Sequence, residues 1–232
     1  MTAPELSIVV LAYDEEENVG PVLRELRDWL EVHEPSAEIV FVDDGSHDRT
    51  VGRAEAALAG SLHTLVRRGQ NGGIGAALKS GVQAARGAWV TFLPADGQIA
   101  PAAIGRLREA QRQSQAELVL SVYEDRDDGL DRKLLSFGVR ALIRAVHGVR
   151  LQSDGPYLFP RKLLVPEELP PDSFFLNFEV PIRAIAAGLT TATVRIACRP
   201  RRAGHSKSTQ LRRIAGVARD LVDLRVRRLR GR

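Results

Sequence analysis

Residues 6–13, LSIVVLAY, form a short, continuous apolar run that is rich in β-branched side chains. Such a run is typical of a strand that is covered on both faces, as in a parallel sheet. Helical or glycine-rich stretches separate it from four further strand-like segments, which are AEIVFVDD (37–44), SLHTLVRR (61–68), AWVTFLPAD (88–96) and AELVLSVYE (116–124). This alternation predicts an α/β domain with a mainly parallel central sheet flanked by helices.

Polar side chains stand at the points where several of these predicted strands end. In open parallel sheets, ligands bind outside the carboxyl ends of the strands, so these residues are the first candidates for a site. They are Tyr13, Asp14, Glu15, Asp43, Asp44 and Asp96.

The composition indicates a globular protein with an uneven charge distribution. The 232 residues suit one large domain, and 44% of them are hydrophobic. The net charge is +4, but residues 199–232 alone carry +10, from eleven Arg and one Lys against two Asp. An anionic partner is therefore expected at the C-terminal end. Cys198 is the single cysteine, which excludes a disulfide within the chain.

The acid pair Asp43–Asp44 closes the second predicted strand and precedes Gly45 and Ser46. One interpretation is structural, with Ser46 or Asp48 accepting free N–H groups at the start of the next helix. The other is functional, with a carboxylate of the pair accepting hydrogen bonds from the base or ribose of a nucleotide. The residues alone leave both interpretations open.

The segment GQNGGIGAAL (69–78) combines several glycines with the start of an Ala-rich helix. Its spacing fits neither the dinucleotide-binding fingerprint nor the P-loop. Its N–H groups could face a phosphate at the helix start, or the glycines could only permit a tight turn with close packing.

Asp96 ends the fourth predicted strand, and Gln98 follows two residues later. A strand-ending Asp is often a simple turn residue. Two oxygen ligands from one turn, completed by water and a diphosphate, also suit Mg²⁺ or Mn²⁺. The pair is therefore a candidate metal site.

Taken together, five segments resemble the family 2 glycosyltransferases, in particular the dolichol- and polyprenyl-phosphate mannosyltransferases. These segments are SIVVLAYDEEENV (7–19), VFVDDGSHDRT (40–50), NGGIGAALKSGVQAARGAWVTFLPADGQ (71–98), DGPYLFPR (154–161) and RRAGHSK (201–207). The resemblance implies a GT-A fold, a nucleotide-sugar donor and a divalent metal. It places the catalytic domain at residues 1–210 and a basic amphipathic tail at residues 211–232.

The resemblance also implies roles for individual residues. Asp96 and Gln98 would sit at the Mg²⁺ or Mn²⁺ ion, and Asp96 would also be catalytic. Arg201, Ser206 and Lys207 would meet phosphates of the donor or acceptor, with Arg201 counted among the catalytic residues. The nucleotide-sugar pocket would be lined by Ala12, Tyr13, Glu15, Asp43 and Asp44.

The sequence departs from the family pattern at several positions. Pro94 replaces the first acid of the usual Asp-x-Asp, so that Asp96 stands in the second position. Ile74 replaces the Lys of Gly-Lys-Gly, which removes a cation. Asp14 precedes Glu15 in place of Asn, and Leu151 stands where an acid is common.

The reaction implied is transfer of mannose or glucose from a GDP- or UDP-sugar to a polyprenyl phosphate, with inversion, in cell-envelope biosynthesis. A phosphate acceptor is already anionic, so it needs positioning and charge screening rather than a base. With a hydroxyl acceptor, Glu179 is the candidate base. Glu179 could equally be an acid at the start of the helix expected over residues 180–188.

A third possibility, motivated by Pro94 and Ile74, is a non-catalytic protein of the same fold that binds a nucleotide or a protein partner. Nucleic acid is a poorer partner, because the basic tail lacks interleaved aromatic residues.

The tail places six apolar side chains on one helical stripe, with Arg on much of the remainder; they are Leu211, Ile214, Val217, Ala218, Leu221 and Leu224. The stripe could pack on the domain or lie on an anionic membrane, and a lipid acceptor favours the membrane. We expect no signal peptide and no spanning helix, and hence a cytoplasmic protein held peripherally at the inner face of the cell membrane.

Overall fold

The computed structural model describes residues 3–124, 130–153, 155–164, 176–200 and 219–226, with side chains described from residue 137 in the second range and from residue 178 in the fourth. Arg201, Ser206, Lys207 and Asp154 lie outside the described residues.

Strands and helices alternate along the chain as the apolar runs predict. The strands are β1 (Leu6–Ala12), β2 (Glu38–Asp43), β3 (His63–Arg67), β4 (Trp89–Pro94), β5 (Leu118–Tyr123), β6 (Phe159–Pro160) and β7 (Thr191–Ile196). The helices are α1 (Val19–His33), α2 (Thr50–Leu58), α3 (Gly73–Ala84), α4 (Ala102–Ser114), α5 (Leu130–His147), α6 (Leu176–Ala186) and α7 (219–226).

The main sheet has five strands in the order β3-β2-β1-β4-β6. The first four are parallel, and β6 pairs antiparallel with β4. This confirms the predicted mainly parallel sheet flanked by helices. The fifth predicted strand does not join that sheet, because β5 pairs in parallel with β7 in a separate two-stranded sheet. An isolated bridge between Val119 and Leu158 connects β5 to the region of β6.

Both faces of the main sheet are covered, which explains the unbroken apolar run of β1. Val9 and Leu11 face a core shared with α3, α5, α6 and α7. Ile8 and Val10 face a second core shared with α1, α2 and α4. All seven residues of β1 are buried, because a strand between two helical layers has no solvent-facing side.

The C-terminal helix α7 packs on the domain. Leu221 and Leu224 are fully buried in the core that contains α5. The backbone oxygen of Leu221 lies 3.0 Å from Nε2 of buried His147. These two leucines belonged to the apolar stripe expected on a membrane; the structure instead buries them against α5, where they complete the domain core. Among the helices in the described ranges, none has the length and apolar character needed to cross a membrane.

A buried carboxylate holds the amino-terminal end of the sheet together. Glu38 is fully buried at the start of β2, and its Oε1 accepts hydrogen bonds from Ser7 Oγ (2.7 Å) and the Arg86 N–H (2.6 Å). The Arg86 guanidinium donates to Oε2 at 2.9 Å. Burial alone raises the pKa of Glu38, but the bonds from Ser7 and Arg86 outweigh it and hold the pKa below its ordinary value.

We expect Glu38→Gln to lower the free energy of unfolding by about 2–3 kcal/mol at pH 7, because it leaves the donors of Arg86 without their charged partner. Since the folded-state pKa is depressed, this stabilisation is present above the unfolded-state pKa and is lost as the pH falls through the folded-state value. Urea unfolding at pH 7 and pH 4 checks this, with Glu31→Gln on the exposed surface of α1 as the control. A wild-type advantage that stays constant between the two pH values would contradict the assignment.

Candidate active site

The carboxyl ends of β2, β1 and β4 meet at one edge of the sheet. Ala12 at the end of β1 pairs with Asp43 at the end of β2. The Asp44 N–H donates to the Ala12 oxygen at 2.9 Å, and on the other side the Ala95 N–H donates to the Leu11 oxygen at 2.9 Å. The structure thus brings Ala12 and the acid pair beside the turn that contains Asp96, as the sequence predicted.

The loops that follow β1 and β2 are joined by reciprocal hydrogen bonds. The Asp14 N–H donates to Ser46 Oγ at 2.9 Å, and the His47 N–H donates to Asp14 Oδ1 at 2.8 Å. The Glu15 N–H donates to Thr50 Oγ1 at 2.8 Å. Asp14 adopts a positive φ of 48°, unusual for a residue with a side chain. These bonds make the two loops one wall of the site.

Tyr13 and Glu15 belong to this wall in different ways. The Tyr13 ring lies edge-on to His47, with the ring centroids 6.4 Å apart. The negative charge of Asp14 raises the pKa of the Tyr13 phenol, with smaller contributions from burial, a hydrogen bond to Asp14 and the charge of Asp44, so the phenol is neutral at physiological pH. The Glu15 carboxylate accepts the side-chain amide of Asn18 at 2.6 Å, which anchors the entry to α1.

Asp44 connects the end of β2 to the start of α3. Its two carboxylate oxygens accept the N–H groups of Gly72 (3.1 Å) and Gly73 (2.7 Å). Its Oδ1 also lies 2.9 Å from Nε of Arg68, in a pair that is nearly inaccessible to solvent. The N–H groups of Gly72 and Gly73, which open α3, therefore donate to the carboxylate of Asp44. For these two N–H groups, this favours the tight-turn interpretation of the glycine segment over phosphate binding.

The same contact explains Gly45. This residue has a φ of 79°, and a Cβ built on it would lie 2.7 Å from the backbone carbonyl carbon of Gln70. Only glycine allows the turn after β2 to approach the glycine segment so closely. Asp43, beside it, accepts the Ser46 N–H at 3.2 and 3.4 Å and is also buried.

The helix-cap interpretation of this turn holds in part. Asp48 Oδ1 accepts the Thr50 N–H at 2.9 Å at the start of α2, whereas Ser46 Oγ is directed to Asp14. The cap contact of this turn therefore comes from Asp48 and does not involve the side chains of Asp43 or Asp44.

Asp96 forms the turn that ends β4. Its Oδ1 accepts the Gln98 N–H at 3.1 Å, and Gly97 between them has a φ of 75°. The carboxylate is 6% exposed. Carboxylate oxygens are ligands that hard cations prefer, so this turn is compatible with cation binding. In the part of the chain that the structure describes, no group of three or more His, Cys, Asp or Glu could hold a metal by itself.

The donor set of this turn fits a hard divalent ion bound together with a diphosphate. Asp96 offers carboxylate oxygen and Gln98 amide oxygen, which are ligand types that Mg²⁺ and Mn²⁺ accept. The Gln98 side-chain nitrogen lies 3.5 Å from the Arg199 oxygen, an orientation that reserves its amide oxygen as the acceptor.

The segment after β7 reaches the same turn. The Arg199 N–H donates to the Gln98 backbone oxygen at 2.7 Å, and the Arg199 guanidinium lies 2.7 Å from Glu25 Oε1 on α1. Arg199 was not singled out from the sequence, because nothing in its spacing indicates either partner.

Glu179 lies in α6 rather than before it. The helix begins at Leu176, upstream of the expected start at residue 180, and Glu179 falls in its first turn. The side chain is fully buried and accepts the Arg183 Nε–H at 2.8 Å. Glu179 therefore forms an ion pair with Arg183, one turn further along α6. This pair stabilises the helix whether or not Glu179 also has a role in chemistry.

Comparisons with known proteins agree with this geometry. The dodecaprenyl-phosphate galacturonate synthase of Rhizobium johnstonii is 30% identical over 154 residues, which are 65% of this chain and 46% of that protein. The undecaprenyl-phosphate 4-deoxy-4-formamido-L-arabinose transferase of Pseudomonas aeruginosa is 31% identical over 209 residues, or 89% of this chain and 61% of that protein. The chain thus spans about half to three fifths of the length of these relatives.

The glucosyl-3-phosphoglycerate synthase of Mycobacterium tuberculosis, solved with Mn²⁺, UDP and glucosyl-3-phosphoglycerate, shares the fold with a TM-score of 0.72 at 24% identity, over 97% of this chain and 80% of that one. The model of glycosyl transferase family 2 matches residues 7–160, which is more than half of the sequence. This chain belongs to glycosyl transferase family 2 and has its GT-A fold.

Proposed function

We propose that this protein transfers a sugar, mannose or glucose, from a GDP- or UDP-sugar to a polyprenyl phosphate, with inversion at the anomeric carbon. The observation that carries the proposal is the meeting of Asp43, Asp44 and Asp96 at the carboxyl edge of the sheet in a family 2 chain. Two relatives support the acceptor class, because one is a dodecaprenyl-phosphate galacturonate synthase and the other an undecaprenyl-phosphate 4-deoxy-4-formamido-L-arabinose transferase.

Asp96 and Gln98 are the residues that would hold Mg²⁺ or Mn²⁺ in this reaction. The ion would neutralise the charge that grows on the leaving diphosphate. Pro94 stands in place of an acid and would therefore remove one polar contact to the nucleotide. In this proposal the loops after β1 and β2 supply most of the remaining contacts to the nucleotide. Ala12, Tyr13 and Glu15 belong to those loops or border them.

The contacts of Asp44 assign different tasks to the two acids. Asp44 already accepts two N–H groups and forms an ion pair with Arg68, so in this proposal it positions the glycine segment. Asp43 has the Ser46 N–H as its hydrogen bond and stands next to Ala12, so we assign the contact with base or ribose to Asp43.

The acceptor phosphate attacks without a base, because it is already an anion at neutral pH. It needs cations that position it and screen its repulsion from the donor diphosphate. Arg201, Ser206 and Lys207 are our candidates. Support comes from Arg199, two residues before Arg201, because its backbone N–H is hydrogen-bonded to the turn that contains Asp96 and Gln98.

The protein would work at the cytoplasmic face of the cell membrane, where its lipid acceptor is embedded. The alternative with a hydroxyl acceptor keeps Glu179 as the base. The non-catalytic alternative keeps nucleotide or partner binding alone.

Asp96→Ala is expected to weaken metal-dependent nucleotide binding by at least about tenfold, because it removes the carboxylate ligand of the ion. Calorimetric titration with GDP, UDP and their mannose and glucose conjugates, with and without Mn²⁺, measures this and identifies the base. Asp28→Ala, on the exposed side of α1, is the control. If the wild type binds none of these nucleotides, both transferase versions fail.

We expect Asp44→Asn to affect mainly the stability of the protein and Asp43→Asn to affect mainly nucleotide binding. Asp44→Asn breaks a buried ion pair and lowers the free energy of unfolding by about 2 kcal/mol. Asp43→Asn leaves that pair intact and weakens nucleotide binding instead. Urea unfolding and calorimetry on both variants separate the roles, and the opposite pattern would reverse our assignment.

Glu179→Gln is expected to retain transfer to a polyprenyl phosphate within about threefold, since that acceptor needs no base. Arg183→Gln is the matched control, because it breaks the same ion pair and keeps the carboxylate. Initial rates with a short-chain polyprenyl phosphate measure both. A loss of about 100-fold or more in Glu179→Gln alone would identify Glu179 as a base.

A further inference from the structure

One face of α5 presents an aromatic ring among arginines. Phe137 is 71% exposed, and it is the one exposed Phe, Tyr or Trp among the described residues. Arg140 and Arg144 follow at +3 and +7 and are also exposed, so the three side chains share one helical face. Residues 137–147 contain no acid. This face therefore combines a large apolar group with positive charge.

Helix α7 packs against the end of α5 and carries exposed apolar side chains of its own. Its inner side chains, Leu221 and Leu224, are buried, and the Leu221 oxygen contacts His147 at the end of α5. Its outer side carries Val222 and Val226, which are 52% and 38% exposed. They are four residues apart, so they lie one above the other.

The charges of α7 are mixed. Arg219 and Arg225 are exposed, and Asp220 and Asp223 lie on the same helix. Arg219 Nε lies 3.9 Å from Asp223, a solvent-exposed pair that holds little energy. The positive charge that distinguishes the surface therefore comes from Arg140 and Arg144 of α5.

The opposite helical layer, which is formed by α1, α2 and α4, differs in the charge beside its exposed apolar side chain. Its most exposed large apolar side chain is Val32 on α1, which is 75% exposed and follows Glu31. The acid beside Val32 is repelled by an anionic surface, whereas the arginines beside Phe137 are attracted to it.

We propose that Phe137, Arg140 and Arg144 of α5, with Val222 and Val226 of α7, form the surface that docks on an anionic lipid bilayer. The aromatic ring and the valines enter the headgroup boundary, and the guanidinium groups remain at the lipid phosphates. The inference rests on the proposed function, because a polyprenyl phosphate is reached at a bilayer. It places membrane contact on the outer faces of two docked helices, rather than on the stripe that contains Leu221 and Leu224.

Co-sedimentation of the full chain with vesicles tests the surface, using phosphatidylcholine alone and phosphatidylcholine with about 30% phosphatidylglycerol. We expect binding only to the anionic vesicles and its weakening at high salt. Phe137→Ser should lower the partition coefficient about tenfold. Arg140→Gln and Arg144→Gln should each lower it about fivefold.

Val32→Ser and Arg53→Gln, on exposed positions of the opposite layer, are the matched controls and should bind like the wild type. Circular dichroism establishes that each variant is folded. Transfer to a short-chain polyprenyl phosphate in detergent should be unchanged in Phe137→Ser. If neither the wild type nor any variant transfers sugar while vesicle binding is intact, the proposed function is rejected and the docking surface is not.

Three results would overturn the inference. One is equal vesicle binding by the wild type, Phe137→Ser and the two Arg variants. Another is equal loss in the controls. The third is a concentration-dependent dimer, seen by light scattering, that Phe137→Ser dissociates while vesicle binding is unchanged, which would make this surface a contact between copies of the chain.

Discussion

The contact between Asp44 and the opening of α3 is the interaction on which the candidate site depends. A single carboxylate at the end of β2 accepts two backbone N–H groups and pairs with Arg68. Without this carboxylate, the two N–H groups and the guanidinium would be left without an acceptor in a place that is largely shielded from water, which costs free energy. Because Gly45 permits close approach, the turn after β2 and the glycine segment behave as one unit, and the loops after β1 and β2 are fixed to it.

The two ends of the sheet use buried carboxylates for opposite purposes. At the amino-terminal end, Glu38 accepts donors from Ser7 and Arg86, and its negative charge serves stability. At the carboxyl end, Asp43 and Asp96 are buried and accept backbone N–H groups of their own turns. A carboxylate held by its own turn is oriented in advance, which would lower the cost of ordering it in the cation and nucleotide binding that we propose.

Much of the fold and the position of the site could be predicted from the sequence, for identifiable reasons. The strands of the main sheet are continuous apolar runs, and acids mark their carboxyl ends, so parallel pairing brings Asp43 and Asp96 to one edge. The departure of β5 from that sheet could not be predicted, because an apolar run does not specify its partner. For the same reason the sequence left open whether the stripe with Leu221 and Leu224 packs on the domain or lies on a membrane: an amphipathic pattern shows which face is apolar and not what covers it. The partners of Asp44 and the ion pair of Glu179 depend on side chains brought together only by tertiary structure.

The hydrogen bonds between Gln98 and Arg199 have a consequence for synthesis. They join residues 101 positions apart in the chain, and β5 likewise waits for β7, with Leu118 pairing with Thr191. The parallel strands β1 to β4 can associate while the chain is still emerging from the ribosome, because all four lie within residues 6–94. The turn at Asp96 is completed only when the segment after β7 arrives. A nascent chain can therefore form the four parallel strands before the Asp96 turn gains its contacts with Arg199.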